Sequence, residues 1–227
     1  MTPDGWFFVG VDLGQARDPS AIAVVEFGAL RDGWDAVAAA WKKKTVLRLR
    51  HLERIALGTT YPEVAERVAG VTRSAELNQR RHLAVDATGV GRPVVDLLRG
   101  KRLGSTRFLP ATITGGESES YADGYYRLPK RDLMTWLQVL LQREQMQIAA
   151  SLKWRTALME EMGAMEVKTT GPGREQYGAW REGAHDDLVF AVALACWAPK
   201  TANPEMARGD GGYWQAPRNV LGLYGLL

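Results

Sequence analysis

The chain is poor in the residues that build covalent or soft-metal frameworks. Among 227 residues there is one cysteine, Cys196, so no disulfide can close within the chain. With three histidines beside it, a Cys/His zinc cluster is excluded as well. A reducing compartment is the simple reading. No apolar run approaches the ~20 residues that span a bilayer. The N-terminus shows no basic region, signal core or cleavage site, so a cytosolic protein is expected. Neither charge sign dominates: 29 Lys and Arg against 26 Asp and Glu leave a net charge of +3. That is a mild hint of a polyanionic partner. No Gly-x-x-x-x-Gly-Lys-Ser/Thr loop is present, which excludes a P-loop ATPase within this sequence. There is no Ser/His/Asp arrangement to supply a nucleophile, and no internal repeat.

With 46% hydrophobic residues the chain can bury a core. Its length suits one domain with a small appendage. Three strands are expected first: residues 6–12, residues 21–27, and a longer one from Trp34 to Leu49 after an Arg31-Asp32-Gly33 turn. Thr60 reads as an N-cap with Pro62 in the first turn, and Val64, Val68 and Val71 recur at helical spacing to about Glu76. His82 to Asp86 is short and apolar, as in the centre of a parallel sheet. A helix from Pro93, a strand 106–113, a flexible polar loop 115–120 and a short strand 125–128 follow. Helices are then expected over 130–143, 152–162 and 185–197, with a strand from Met165 to Thr170. From Pro199 onward Gly, Pro and Asn dominate, and Tyr213, Trp214 and Val220–Tyr224 suit docking on a partner. The expected division is a domain over 1–198 and a tail over 199–227.

Four aspartates at three places carry the chemistry. Asp12 ends the run Phe7-Phe8-Val9-Gly10-Val11, Asp86 ends Leu83-Ala84-Val85, and Asp186-Asp187 open the apolar run to Leu194. A carboxylate at the end of a buried strand is costly to desolvate unless a cation sits against it. Three such places in one small domain suggest carboxylates sharing a divalent metal. Oxygen cages for hard cations are the chemistry of phosphodiester cleavage. Without metal the acids repel one another, so at least one should titrate abnormally.

The order of elements, with these acids, resembles the ribonuclease H-like nucleases. Within that superfamily it is most similar to the nuclease domain of phage large terminase subunits, which package and cut DNA. The pieces that carry the resemblance are Gly10-Val11-Asp12-Leu13-Gly14 with Asp18-Pro19-Ser20-Ala21, Val85-Asp86-Ala87-Thr88-Gly89-Val90-Gly91, Lys130-Arg131-Asp132-Leu133, and His185-Asp186-Asp187-Leu188-Val189. They cover roughly residues 6–198. The last piece discriminates best. The resemblance implies an α/β fold, a ribonuclease H-like mixed β-sheet of three antiparallel strands and then parallel ones, flanked by helices. It places the first strand beside the strand ending at Asp86.

The resemblance further implies a divalent-metal-dependent endodeoxyribonuclease with two cations, Mg²⁺ or Mn²⁺. Asp12 and Asp86 would be ligands, with Asp186 third and Asp187 a supporting or alternative ligand. His185 would orient a water or contact a phosphate. Double-stranded DNA would be held through its phosphates by Lys42, Lys43, Lys44 and Arg48, with Lys130 and Arg131 beside the 115–124 loop. Arg50, His51 and Arg54 continue the first basic stretch. The implied partners are an ATPase, as a removed domain or a separate chain, the portal protein and the small terminase subunit. The implied place is the cytoplasm of an infected host. The alternatives are a Holliday-junction-type resolvase of the same superfamily, or an inactive DNA- or capsid-binding module. Gly10-Val11-Asp12-Leu13-Gly14 also resembles the first phosphate loop of actin and sugar-kinase ATPases. Those need two such domains, ~350 residues or more, against ordinary domain sizes.

Overall fold

The computed structural model describes residues 5–14, 18–37, 39–77, 80–89, 91–169, 175–179 and 185–202. An eight-stranded mixed sheet forms its centre. The first strand, β1 (Trp6–Asp12), pairs antiparallel with β2 (Ala21–Asp35), which pairs antiparallel with β3 (Ala40–Arg54). On its other side β1 lies parallel to β4 (Arg81–Asp86), with Val11 beside Val85. Asp12 and Asp86 therefore follow as neighbours at the ends of adjacent strands. Outward from β4 come β5 (Arg107–Thr114), β7 (Tyr125–Pro129) and the short β6 (Ser120–Ala122). On the far side of β3 is β8 (Met146–Ile148). A separate hairpin pairs β9 (Met165–Thr169) with β10 (Glu175–Ala179).

Helices cover both faces. On one lie α1 (Tyr61–Thr72) and α2 (Gly91–Arg99), packed on Val9, Val11, Ile22, Leu83 and Val85. On the other lie α3 (Lys130–Gln142), α4 (Arg155–Ala164) and α5 (Asp187–Ala202), over Phe8, Ala21, Ala23, Ala84 and Leu109. The split follows the period of two in each strand. Every residue of α5 from Leu188 to Ala198 is buried, as befits a helix that is apolar all round. It crosses β1 at Gly10, where a Cβ would stand 2.1 Å from the Ala191 carbonyl oxygen and 2.4 Å from the Ala195 nitrogen. Only glycine permits that approach.

The mixed sheet and the β1–β4 neighbourhood agree with expectation, as does the Thr60 cap. The Glu63 carboxylate accepts from the Thr60 N–H at 2.9 Å and from its hydroxyl at 2.6 Å. Several expectations are corrected. Arg31-Asp32-Gly33 is not the hairpin turn: β2 runs on to Asp35, and the register shifts between Arg31 and Trp34. Gly33, at φ 85, serves an irregularity within the strand, a use to which Asp-Gly is equally suited. Strand β2 ends at Asp35 and β3 begins at Ala40, and β3 extends to Arg54 rather than Leu49. Helix α1 stops at Thr72, and a 3₁₀ turn takes up Ala75–Leu77. On α3, Leu133, Leu137 and Leu140 are buried and Leu141 is exposed.

The expected division at 198/199 falls inside α5, which continues through Pro199 to Ala202. An ion pair from Lys200 Nζ to Glu119 Oε1 at 2.7 Å anchors that last turn. The rest of the expected tail, with Tyr213, Trp214 and Val220–Tyr224, lies outside the described residues.

Candidate metal centre

The four aspartates lie toward one end of one sheet face, where Asp86, Asp186 and Asp187 all act electrostatically on Asp12. Along β1 the residues on the α5 side are Phe8, Gly10 and Asp12, and along β4 they are Ala84 and Asp86. Strand alternation thus turns both terminal carboxylates toward α5. The start of α5 supplies the others. Asp186 accepts the first helical bond, from Phe190 N–H to its carbonyl at 3.0 Å, and Asp187 is the first helical residue. Carboxylates are favoured there by the helix dipole.

Burial dominates the protonation of these acids, and repulsion by the other three adds to it at Asp12. Burial, and then Asp86, Asp186 and Asp187 in that order, push the Asp12 carboxyl well above its ordinary value, with Lys130 opposing. Asp86 is also raised, chiefly by burial, against hydrogen bonds from Thr88. Its Oδ1 accepts from the Thr88 N–H at 2.8 Å and the Thr88 hydroxyl at 2.5 Å, while Ile113 N–H donates to the Thr88 hydroxyl oxygen at 2.9 Å. Asp187 is raised by burial and restrained by Arg54. The abnormal titration expected of such a cluster is present.

Two cations enter the cluster from the protein itself. Lys130 Nζ is 3.5 Å from Asp186 Oδ2 and lies over the Phe190 ring, 4.3 Å from its centroid. Arg54 donates to both oxygens of Asp187, from Nε at 2.9 Å and from a terminal nitrogen at 3.2 Å. That terminal nitrogen also donates to Glu161 Oε1. The second Glu161 oxygen accepts from the Leu188 and Val189 N–H groups at 3.1 and 3.2 Å. Glu161 is 7% exposed, and burial, with Asp187 adding to it, raises its carboxyl to about 7. His185 is half-buried, with Nδ1 4.0 Å from Asp187 Oδ1.

As they stand, no three His, Cys, Asp or Glu side chains among the described residues are gathered closely enough to hold an ion. The donor chemistry nevertheless fits a hard divalent cation. The acids offer only oxygen, they carry more negative charge than Lys130 and Arg54 offset, and burial first and the neighbouring acids second raise the Asp12 carboxyl.

The other basic residues separate into two groups. Lys130 is in the cluster, and Arg131 is next to it, 3.4 Å from Asp132 and 3.5 Å from the Glu117 carbonyl oxygen. Lys42, Lys44 and Arg48 lie toward the opposite end of the strands. Lys44 pairs with Leu30, whereas Arg54 pairs with Ala21, itself beside Asp12. Ten residues of extended strand separate Lys44 from Arg54, about 30 Å. Lys44 lies 4.0 Å from Glu144, and Arg48 and Arg50 share Glu26 at 3.9 and 3.2 Å. The Lys43 side chain lies outside the described residues.

Sequence reasoning missed three residues. Arg54 was grouped with the basic stretch, and Thr88 and Glu161 carried no signal. The adjacent Glu160 and Glu161 on a short helix without a marked apolar face read as solvated residues.

No family model matches the sequence, and no curated protein matches it. Solved structures do. The large terminase nuclease of thermophilic phage G20c with bound magnesium is 21% identical and covers 86% of this chain and 82% of that one, with a TM-score of 0.54. A mutant nuclease domain of the large terminase subunit gp2 of bacterial virus Sf6 with manganese is 13% identical over 85% and 88% of the chains, also at 0.54. The large terminase of bacteriophage HK97 is 11% identical over 87% of this chain and 40% of that one, at 0.52. The parallel β1–β4 pair between an antiparallel meander and further parallel strands, covered by helices on both faces, is thus the ribonuclease H-like fold of the large terminase nuclease domains.

Proposed function

We propose that the chain is a divalent-metal-dependent DNA endonuclease that cuts phosphodiester bonds during viral genome packaging. The observation that carries this reading is the meeting of Asp12, Asp86, Asp186 and Asp187, from three distant segments, at one end of one sheet face. The likeness to terminase nucleases, including examples with magnesium or manganese, supports it. In this reading Asp12, Asp86 and Asp186 hold two divalent cations, Mg²⁺ or Mn²⁺, with Asp187 in support. Bound there, such ions would supply Lewis-acid activation of a water and stabilisation of the leaving 3′-oxygen.

The chain's own residues do the rest. Thr88 holds one oxygen of Asp86 in place. Lys130 neutralises Asp186 while no cation is bound and is then available to a DNA phosphate. His185, 4.0 Å from Asp187, would orient a water or meet a phosphate. Arg131 extends the positive edge. Lys42, Lys43 and Lys44 would touch the same duplex about one helical turn away, since a turn of ~34 Å matches the length of β3 between the two ends, with Arg48 reaching it in between. An ATPase, in the same polypeptide or apart, would drive packaging, with the portal and the small terminase subunit as further partners in the host cytoplasm.

Supercoiled plasmid incubated with Mg²⁺, Mn²⁺ or EDTA tests the reading. Ion-dependent nicking is expected. A lack of nicking with every ion, from protein that binds DNA, would favour an inactive binding module.

A further inference from the structure

Asp186 and Asp187 are adjacent in the chain, so some contact must decide which of them faces Asp12. The contacts of Asp187 are unusual for a metal ligand. Both its oxygens are already taken by one guanidinium, and it is 3% exposed. That guanidinium lies over the Trp154 ring, 5.2 Å from its centroid, and continues to Glu161. Glu161, from α4, then closes the circuit on α5 by accepting from Leu188 and Val189 N–H. Those are donors that the first turn of a helix leaves without intrahelical partners. Two side chains therefore tie β3, α4 and the start of α5 together. Neither Arg54 nor Glu161 is solvated enough to be replaced by water at no cost.

We propose that Arg54 and Glu161 are positioning residues that hold Asp187 out of the cation pocket and lock the first turn of α5, so that Asp186 becomes the third ligand. The inference rests on the metal-nuclease reading and goes further by assigning unequal roles to the two acids. Asp186 is the more exposed of the pair, and Lys130, a single cation 3.5 Å away, is its partner there. A lysine at that distance is displaced more readily than a two-pronged arginine. Outer partners of metal ligands typically contribute roughly 10- to 100-fold to metal affinity.

The test is Mn²⁺ binding by the whole chain without DNA, read from the electron paramagnetic resonance of free Mn²⁺, with folding checked by circular dichroism. Glu161→Ala and Arg54→Ala are expected to weaken binding roughly 10- to 100-fold. Glu161→Gln keeps an oxygen for the Leu188 and Val189 N–H groups and should recover part of the loss, even if the alanine variants fold poorly. Asp186→Asn should abolish binding at one site, and Asp187→Asn should cost much less. Unchanged affinity in folded Glu161→Ala, or a larger loss in Asp187→Asn than in Asp186→Asn, overturns the inference while leaving the metal reading intact. A wild-type chain that takes up no Mn²⁺ overturns both.

Discussion

Arg54 and Asp187 are 133 residues apart in sequence, yet the guanidinium of one meets both oxygens of the other at 2.9 and 3.2 Å. The meeting depends on a bulge. Val24 pairs with His51 and Val25 with Leu49, so Arg50 is an extra residue in β3. Before it, Leu47 and Leu49 face α5; after it, Leu52 does. Strict alternation from Arg48 through Arg50 would have carried Arg54 to the opposite face, among the solvated bases. The inserted residue reverses the parity and sends Arg54 to the acids instead.

Asp12→Asn or Asp86→Asn should abolish plasmid nicking in Mn²⁺, a loss of at least about 10³-fold, as expected for a carboxylate that holds the catalytic ions. The circular dichroism spectrum should not change. Full cleavage by both variants would remove these residues from the site.

Stability should depend on pH with an unusual sign. Glu161 is raised from 4.5 to about 7 by burial and by Asp187, and Asp12 is raised by burial and its acidic neighbours. A raised carboxyl binds its proton more tightly in the folded state. Its stabilising contribution is present below the unfolded value and is lost as pH climbs through the folded one. In EDTA the protein should therefore melt at a higher temperature near pH 5 than near pH 8. Asp12→Asn should raise the melting temperature at pH 8, each released pKa unit being about 1.4 kcal/mol. Scanning calorimetry at both pH values decides it, and a higher melting point at pH 8 in wild type would contradict it.

Gly10→Ala places a methyl group 2.1 Å from the Ala191 carbonyl oxygen, where helix and strand backbones touch. Moving α5 off β1 should cost about 3 kcal/mol, at the upper end for overpacking. Urea unfolding measures it. A loss under about 0.5 kcal/mol, the range of ordinary surface changes, would mean the helix yields freely.

Thr88→Val keeps the shape of the side chain but removes the hydroxyl donor to Asp86 Oδ1. Binding of Mn²⁺ should weaken roughly tenfold with about 1 kcal/mol lost in stability. Titration of the two proteins side by side provides the check.

Lys42→Glu tests the remote basic end of β3. If a duplex spans both ends of the strands, the slope of log affinity against log salt should fall by about 1 or more. Filter binding at several salt concentrations reads the slope, and an unaltered value would release that end from the DNA.

Short elements were the hardest to foresee. Strands β6 and β8 have three residues each, too few for a period to declare itself, and they exist because neighbouring strands offer them partners. The Arg31-Asp32-Gly33 turn failed for a different reason. Asp-Gly satisfies a left-handed backbone wherever one is needed, and here β2 needed it inside the strand.

The residues alone determined which positions bear the acids and where the central strands end, because buried runs and the carboxylates that stop them are local features of the polymer. They also determined that α5 would be buried, since no face of Leu188–Ala198 is polar. Only the folded chain decided which cations answer those acids. That choice depends on one extra residue in β3, on a glycine where α5 meets β1, and on a glutamate from α4, and each acts through space across a distance in sequence that no local pattern spans.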